Sequence, residues 1–221
     1  MDFDGVRICG IAESLELGAR ISYWPEKTVT WNVRDSLPRL AIVDMKAVWN
    51  MGIEGWEPHC GIDFVYTSNP KTANILLTVA NLGGASGVLA DSHLPPAGLQ
   101  SNSQFQAIQR YDSSEVWVVS DRPKAGEIDL VRVCCHEIGH AAGLPHMGDG
   151  LMAPMYSTKI RFPSAPVEIE AMQRGYGLPR PKEPPPTPTP EGKLICHAEW
   201  DKATGKLLNA RITGGRVVIG A

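Results

Sequence analysis

The sequence predicts an α+β fold: a mixed, twisted β-sheet with about three helices, then a proline-rich linker and a small β tail. Three observations carry this. Short runs of β-branched and aromatic residues alternate with a single long helical pattern in the first half of the chain. A second helical stretch near residue 140 carries the pattern H-E-x-x-H. A block of prolines after residue 178 ends the periodicity, and strand-like segments follow it.

In chain order, residues 1–27 form an N-terminal extension with an apolar patch around Ile8 to Leu17, read as an added strand or a packed arm. Thr28 to Val33 is a strand. Ser36 is placed to cap a helix in which Leu40, Val43, Ala47 and Val48 recur at three- and four-residue spacing. Ile62 to Tyr66 and Asn74 to Val79 are the next strands, separated by the turn-forming Ser68-Asn69-Pro70. The glycine-rich Leu82 to Gly87 lacks the lysine and helix of a phosphate loop, so it reads as a surface turn. Ser114 to Ser120 gives the last strand, Glu127 to Ala142 a helix, and Val167 to Arg174 a final helix entered through Pro166 and left through Gly175 and Gly177. Residues 179–190 are too poor in apolar side chains to fold and form an extended spacer. Residues 191–221 read as a β-meander: Leu194 to Trp200, Leu207 to Ile212 and Val217 to Ile219. So small a unit seldom stands alone, so the tail is expected to dock or oligomerise.

With 221 residues and 43% apolar content the chain can build one sizeable core. A formal charge of −3 offers no basic field for nucleic acid. No apolar run is long enough for a membrane span, and the opening residues lack the basic start and apolar stretch of a signal peptide. Cys9, Cys60, Cys134, Cys135 and Cys196 form no C-x-x-C pair, and their odd count argues against a disulfide framework. Cys134 and Cys135 point away from His136 on a helix and read as small buried residues.

The chemistry concentrates in His136-Glu137-Ile138-Gly139-His140-Ala141-Ala142-Gly143-Leu144-Pro145-His146. Residues four apart on a helix sit roughly 40° apart around the axis, so His136 and His140 can aim at one point. Glu137 projects about 100° from His136, which suits a base rather than a third ligand. Gly143 falls where the helix must stop, and the reversed chain can deliver His146. Three neutral imidazoles leave the fourth position of a zinc ion open, the arrangement of a catalytic site.

These residues resemble the long zinc motif of the metzincins. Within that clan, Leu151-Met152-Ala153-Pro154-Met155-Tyr156 is similar to the Met-turn and pocket wall of matrixins, and Glu168 to Gly177 to their last helix. The resemblance covers roughly residues 28–178, the implied catalytic domain. It implies a zinc-dependent endopeptidase acting on extended protein or peptide substrates: His136, His140 and His146 as metal ligands, Glu137 as general base and Met152 as the turn methionine. Val88, Leu89 and Ala90 would be the substrate edge strand, and Pro154, Met155 and Tyr156 would wall the pocket. Asp112 and Glu115 match positions of a family calcium site, although two carboxylates in a loop are more often solvated. Extracellular localisation follows from the family alone.

The departures are Met147 and Ala153 within the motif, and Asp91 and Arg110 where matrixins carry histidines for a second, structural zinc, which is therefore not expected. His93 is then a surface residue. Arg7-Ile8-Cys9-Gly10 has the wrong spacing for the family's inhibitory cysteine segment, so Cys9 is expected to be an unused thiol. Arg132, four residues before His136, either shortens the pocket, favouring small or acidic side chains, or turns to solvent. Two other functions compete: a catalytically silent module of the same fold tethered through the linker and tail, and hydrolysis of a non-peptide amide. Intact Glu137 and the Met-turn residues argue against them respectively.

Overall fold

A computed structural model describes residues 8–9, 21–101 and 103–180, and the strands at 195–200 and 207–213 as backbone. The chain divides into two compact units, residues 1–180 and 181–221. In the first, β1 (Thr28–Val33), β2 (Asp63–Tyr66), β3 (Ile75–Ala80), β4 (Ala90–Ser92) and β5 (Ala107–Asp112) form one sheet in the order β2-β1-β3-β5-β4. Its first four members are parallel, and β4 closes the edge antiparallel to β5, pairing Ala90 with Tyr111 and Asp91 with Arg110. The expected strands at 62–66 and 74–79 are found within a residue.

Several expectations need correction. The first helix, α1 (Ile42–Trp56), is not capped by Ser36. Pro38 disfavours helical geometry in the residue before it, and Arg39 adopts a positive φ of 70°. The chain makes a turn first, and Ala41 N–H then donates to Asp44 Oδ2 at 3.1 Å. Strand β5 had no counterpart in the sequence reading. Conversely, Ser114 to Ser120 yields only β6 (Trp117–Val118), paired with β7 (Ile128–Asp129) outside the main sheet. Val116 and Val119 are about half exposed there (51% and 48%), too solvated for a core strand. The edge strand begins at Ala90, with Val88 and Leu89 leading into it.

Helix α2 (Leu130–Ala141) starts three residues later than expected, because Asp129 caps it by accepting Val131 N–H at 3.3 Å. Every residue of α2 is buried. It packs against α1, where Trp56 Nε1 donates to Cys135 O at 2.9 Å and Trp49 stacks on Trp31 of β1. Helix α3 (Pro166–Tyr176) opens on a proline, which needs no N–H partner in a first turn, and ends at Gly177 with φ 81°. Gly175 lies inside this helix rather than ending it. Among the described residues, no helix is long and apolar enough to cross a membrane.

The described residues 21–24 of the N-terminal extension pack against this core. Trp24 Nε1 donates to Ala141 O at 2.7 Å, Tyr23 OH to Ala171 O at 2.6 Å, and Tyr176 OH to Ala142 O at 2.7 Å. In the second unit, β8 (Ile195–Trp200) and β9 (Leu207–Thr213) pair antiparallel, matching two strands of the expected meander. The third, and Pro181 to Pro190 of the linker, lie outside the described residues.

Candidate metal centre and cleft

His136 and His140 both arise from α2, and their Nε2 atoms stand 2.9 Å apart. Gly143, at φ 105°, turns the chain so that His146 closes on them, with ring centroids 4.8 Å from His140 and 5.5 Å from His136. A β-carbon at Gly143 would overlap Ser22 O, so that position is closed to side chains as well as strained for them. The orientation of the two helical rings comes from the backbone. His136 Nδ1 meets Leu151 O at 2.6 Å and His140 Nδ1 meets Leu144 O at 2.6 Å. A carbonyl only accepts, so both Nδ1 atoms carry the proton and both Nε2 atoms present lone pairs.

Two unprotonated nitrogens 2.9 Å apart repel unless a cation draws them together. Protonation does not supply it: burial, then the neighbouring histidine, holds His136 well below the usual range, and burial with His146 lowers His140 to about 3. The donor set therefore fits a metal that accepts neutral imidazole. Cys9 Sγ belongs to the same group, and all four ligand atoms lie within 4.8 Å of one another.

That position of Cys9 overturns its reading as an unused thiol. Ile8 N–H donates to Pro154 O at 2.8 Å, and Leu89 and Ala90 N–H donate to Ile8 O at 3.1 and 2.9 Å. Cys9 bridges Ala90 in parallel orientation. The segment thus lies across the cleft between edge strand and pocket wall, and the Cys9 thiol faces Glu137 Oε2 at 3.9 Å. Glu137 is fully buried. Burial first, and Asp91 second, raise its proton affinity well above the ordinary carboxylate value, with Cys9 opposing them.

Met152 is buried beneath this group, and a β-carbon at Gly139 would overlap its sulfur, so glycine at 139 makes the seat for the methionine. Glu168, which the sequence did not single out, accepts Met152 N–H at 3.0 Å and Leu151 N–H at 3.3 Å, fixing the peptide whose carbonyl orients His136. Its only sequence signal was a glutamate at the third position of a helix.

Arg132 is 1% exposed, so it does not turn to solvent; its guanidinium lies 4.8 Å from the Tyr156 ring centre. Tyr156 OH accepts Asp129 N–H at 3.0 Å, Pro154 is half-buried and Met155 is exposed at the rim. Asp112 and Glu115 stand apart from the histidines, holding the glycine-rich loop through Leu82 N–H (2.8 Å) and Ser86 N–H (2.7 Å). Asp91 and Arg110 form a two-point ion pair, with Nε–Oδ1 at 2.8 Å. Cys134 and Cys135 are buried and outside the histidine group.

The mixed sheet, the histidine-bearing helix and the buried methionine under it define a metzincin-class protein. The sequence model of the matrixin family matches residues 23–177, and the chain belongs to that family of metallopeptidases. Matrix metalloproteinase-16 of Homo sapiens is 25% identical over 184 residues, covering 74% of this chain and 29% of its own length. Matrix metalloproteinase-15 of Homo sapiens is 34% identical over 190 residues, covering 76% and 27%. Stromelysin-3 of Xenopus laevis is 31% identical over 110 residues, covering 49% and 21%. The chain thus spans less than a third of the length of these relatives.

Proposed function

We propose that this chain is a zinc-dependent endopeptidase held latent by its own N-terminal segment. The observation that carries the reading is the pair of lone-pair-bearing Nε2 atoms 2.9 Å apart, with both Nδ1 atoms committed to carbonyls. His136, His140 and His146 would hold the zinc, which when bound supplies Lewis acidity to activate water and polarise the scissile carbonyl. Glu137, with a raised proton affinity, accepts the proton of the attacking water at its carboxylate and passes it to the leaving amine. Met152 supports the ligands from below.

A substrate would lie extended along β4, its backbone taking the Leu89 and Ala90 N–H groups that Ile8 O occupies. Its next side chain would enter the pocket of Arg132, Pro154, Met155 and Tyr156, where the buried guanidinium leaves room for small or acidic groups. The backbone bonds of Ile8 take the β4 amides and the thiol of Cys9 stands among the three histidines, so substrate and segment compete. Calcium at Asp112 and Glu115 would act as a ligand stabilising the loop, and a melting temperature raised by millimolar calcium is its test. Extracellular localisation joins the proposal by family.

The decisive experiment is digestion of a peptide library by the Cys9→Ala chain, with and without a chelator. Chelator-sensitive cleavage, lost in Cys9→Ala/Glu137→Gln, supports the reading, and Arg132→Ala should broaden it toward large apolar side chains. No cleavage by Cys9→Ala with zinc bound would favour the silent binding module, and cleavage that survives Glu137→Gln would remove Glu137 as the base.

A further inference from the structure

Strand β5 carries a buried polar side chain to which the peptidase reading gives no task. Gln109 is 0% exposed. Its Oε1 accepts Trp49 Nε1–H of α1 at 2.9 Å and Tyr111 OH at 3.1 Å, and its Nε2 donates to Glu137 O at 2.8 Å. An indole N–H only donates and a peptide carbonyl only accepts, so these partners fix which end of the amide faces which way. Tyr111 is also fully buried. One satisfied network therefore joins α1 to β5 and grips α2 at the backbone carbonyl of Glu137.

Apolar packing sets how close α2 lies to the sheet but is non-directional, and it resists slide along the helix axis only weakly. A bond to one backbone carbonyl is directional. Trp56 supplies such a bond to Cys135 O, and Gln109 supplies the one at Glu137 itself. The Glu137 side chain has little else to place it: Oε2 meets only the distant Cys9 thiol, and Oε1 has no hydrogen-bond partner among the described residues. Where the carboxylate stands is set by the register of the helix backbone. A misplacement of about 1 Å can cost a reaction on the order of 10²-fold.

We infer that Gln109 is a positioning residue: held by Trp49 and Tyr111, its amide fixes the register of α2 at Glu137 and so the place of the base. This rests on the peptidase reading. The test uses the full chain with Cys9→Ala, adding Gln109→Met, which keeps the volume and loses the bonds, or Gln109→Glu, which keeps an acceptor for Trp49 and Tyr111 and loses the donor to Glu137 O. Both should lower kcat at least about 10-fold with KM within about twofold, the pattern of a group acting only in the transition state. Both should also speed hydrogen exchange of the Gly139 to Ala141 amides at least about 10-fold, with or without zinc. Val33→Ala, a truncation in β1 away from this network, lowers the melting temperature without the kcat loss. Parental kcat and α2 exchange in both Gln109 variants, or losses no greater than in Val33→Ala, would overturn the inference. If Cys9→Ala itself cleaves nothing, the peptidase reading fails and the exchange measurement alone decides whether Gln109 fixes the helix.

Discussion

Two loops flank the Ile8–Cys9 segment, and both are held by carboxylates that accept backbone N–H groups. On one side, Glu168 serves four amides: Leu151, Met152, Ser164 and Ala165. It is 0% exposed, so water cannot take its place. On the other, the glycine-rich loop from Leu82 to Gly87 hangs from Asp112 and Glu115, and the Glu115–Ser86 bond lies in solvent. Gly83 and Gly84 take positive φ values of 118° and 88°, which adds backbone freedom to the second loop. The loop that orients a histidine is rigid; the loop that leads into the edge strand can yield.

The sharpest way to break this contrast is Glu168→Ala. An unsatisfied buried N–H costs about 1–3 kcal/mol; Leu151 and Met152 lose their partner inside the core while Ser164 and Ala165 can turn to water, so stability should fall by about 4 kcal/mol. The melting temperature should fall by roughly 10 °C or more; a fall under about 2 °C would erase the distinction between the loops. Metal removal comes next. A chelator should take away about 3–4 kcal/mol of ligand-linked stability. Hydrogen exchange should then quicken at Leu151 and Met152 and stay unchanged at Ser86, whereas equal quickening would mean the loops are coupled.

Glu115→Ala should cost no more than about 1 kcal/mol, read as a shift of about 2–4 °C in thermal melting. The smallest effect belongs to Asp91→Asn. Its ion pair with Arg110 joins directly opposed residues of β4 and β5, but the arginine is 48% exposed. Its loss should amount to about 0.5 kcal/mol and vanish in 1 M salt, where screening extends over only about 3 Å.

The histidine triad was legible because helical spacing and a terminating glycine are local signals. Strand β5 was hidden for a reason that concerns function. Its inward positions are Ala107, Gln109 and Tyr111, and a glutamine at the centre of a buried face removes the apolar alternation by which strands are recognised. Glu168 escaped notice likewise, since nothing near it in sequence shows that its partners lie at Leu151 and Met152. Cys9 is 128 residues from Glu137, and spacing within its own segment could not report that contact. Helical geometry puts Arg132 on the face of His136, but its burial beside Tyr156 needed the tertiary fold. The edge strand was located to within two residues, since an isolated bridge and a short β4 leave little periodicity to read.

The strap from Ser22 to Trp24 has a consequence for the order of events during synthesis. Its anchors are Ala141, Gly143, Ala171 and Tyr176, contacts that span 117 to 152 residues. Loops that long close slowly, and on a ribosome adding about 5–20 residues per second the strap waits several seconds for its partners to emerge. The turn at Gly143 that delivers His146 can be locked only then. The histidine cluster therefore reaches its final geometry late, once Gly143 and His146 have been made and have met the strap.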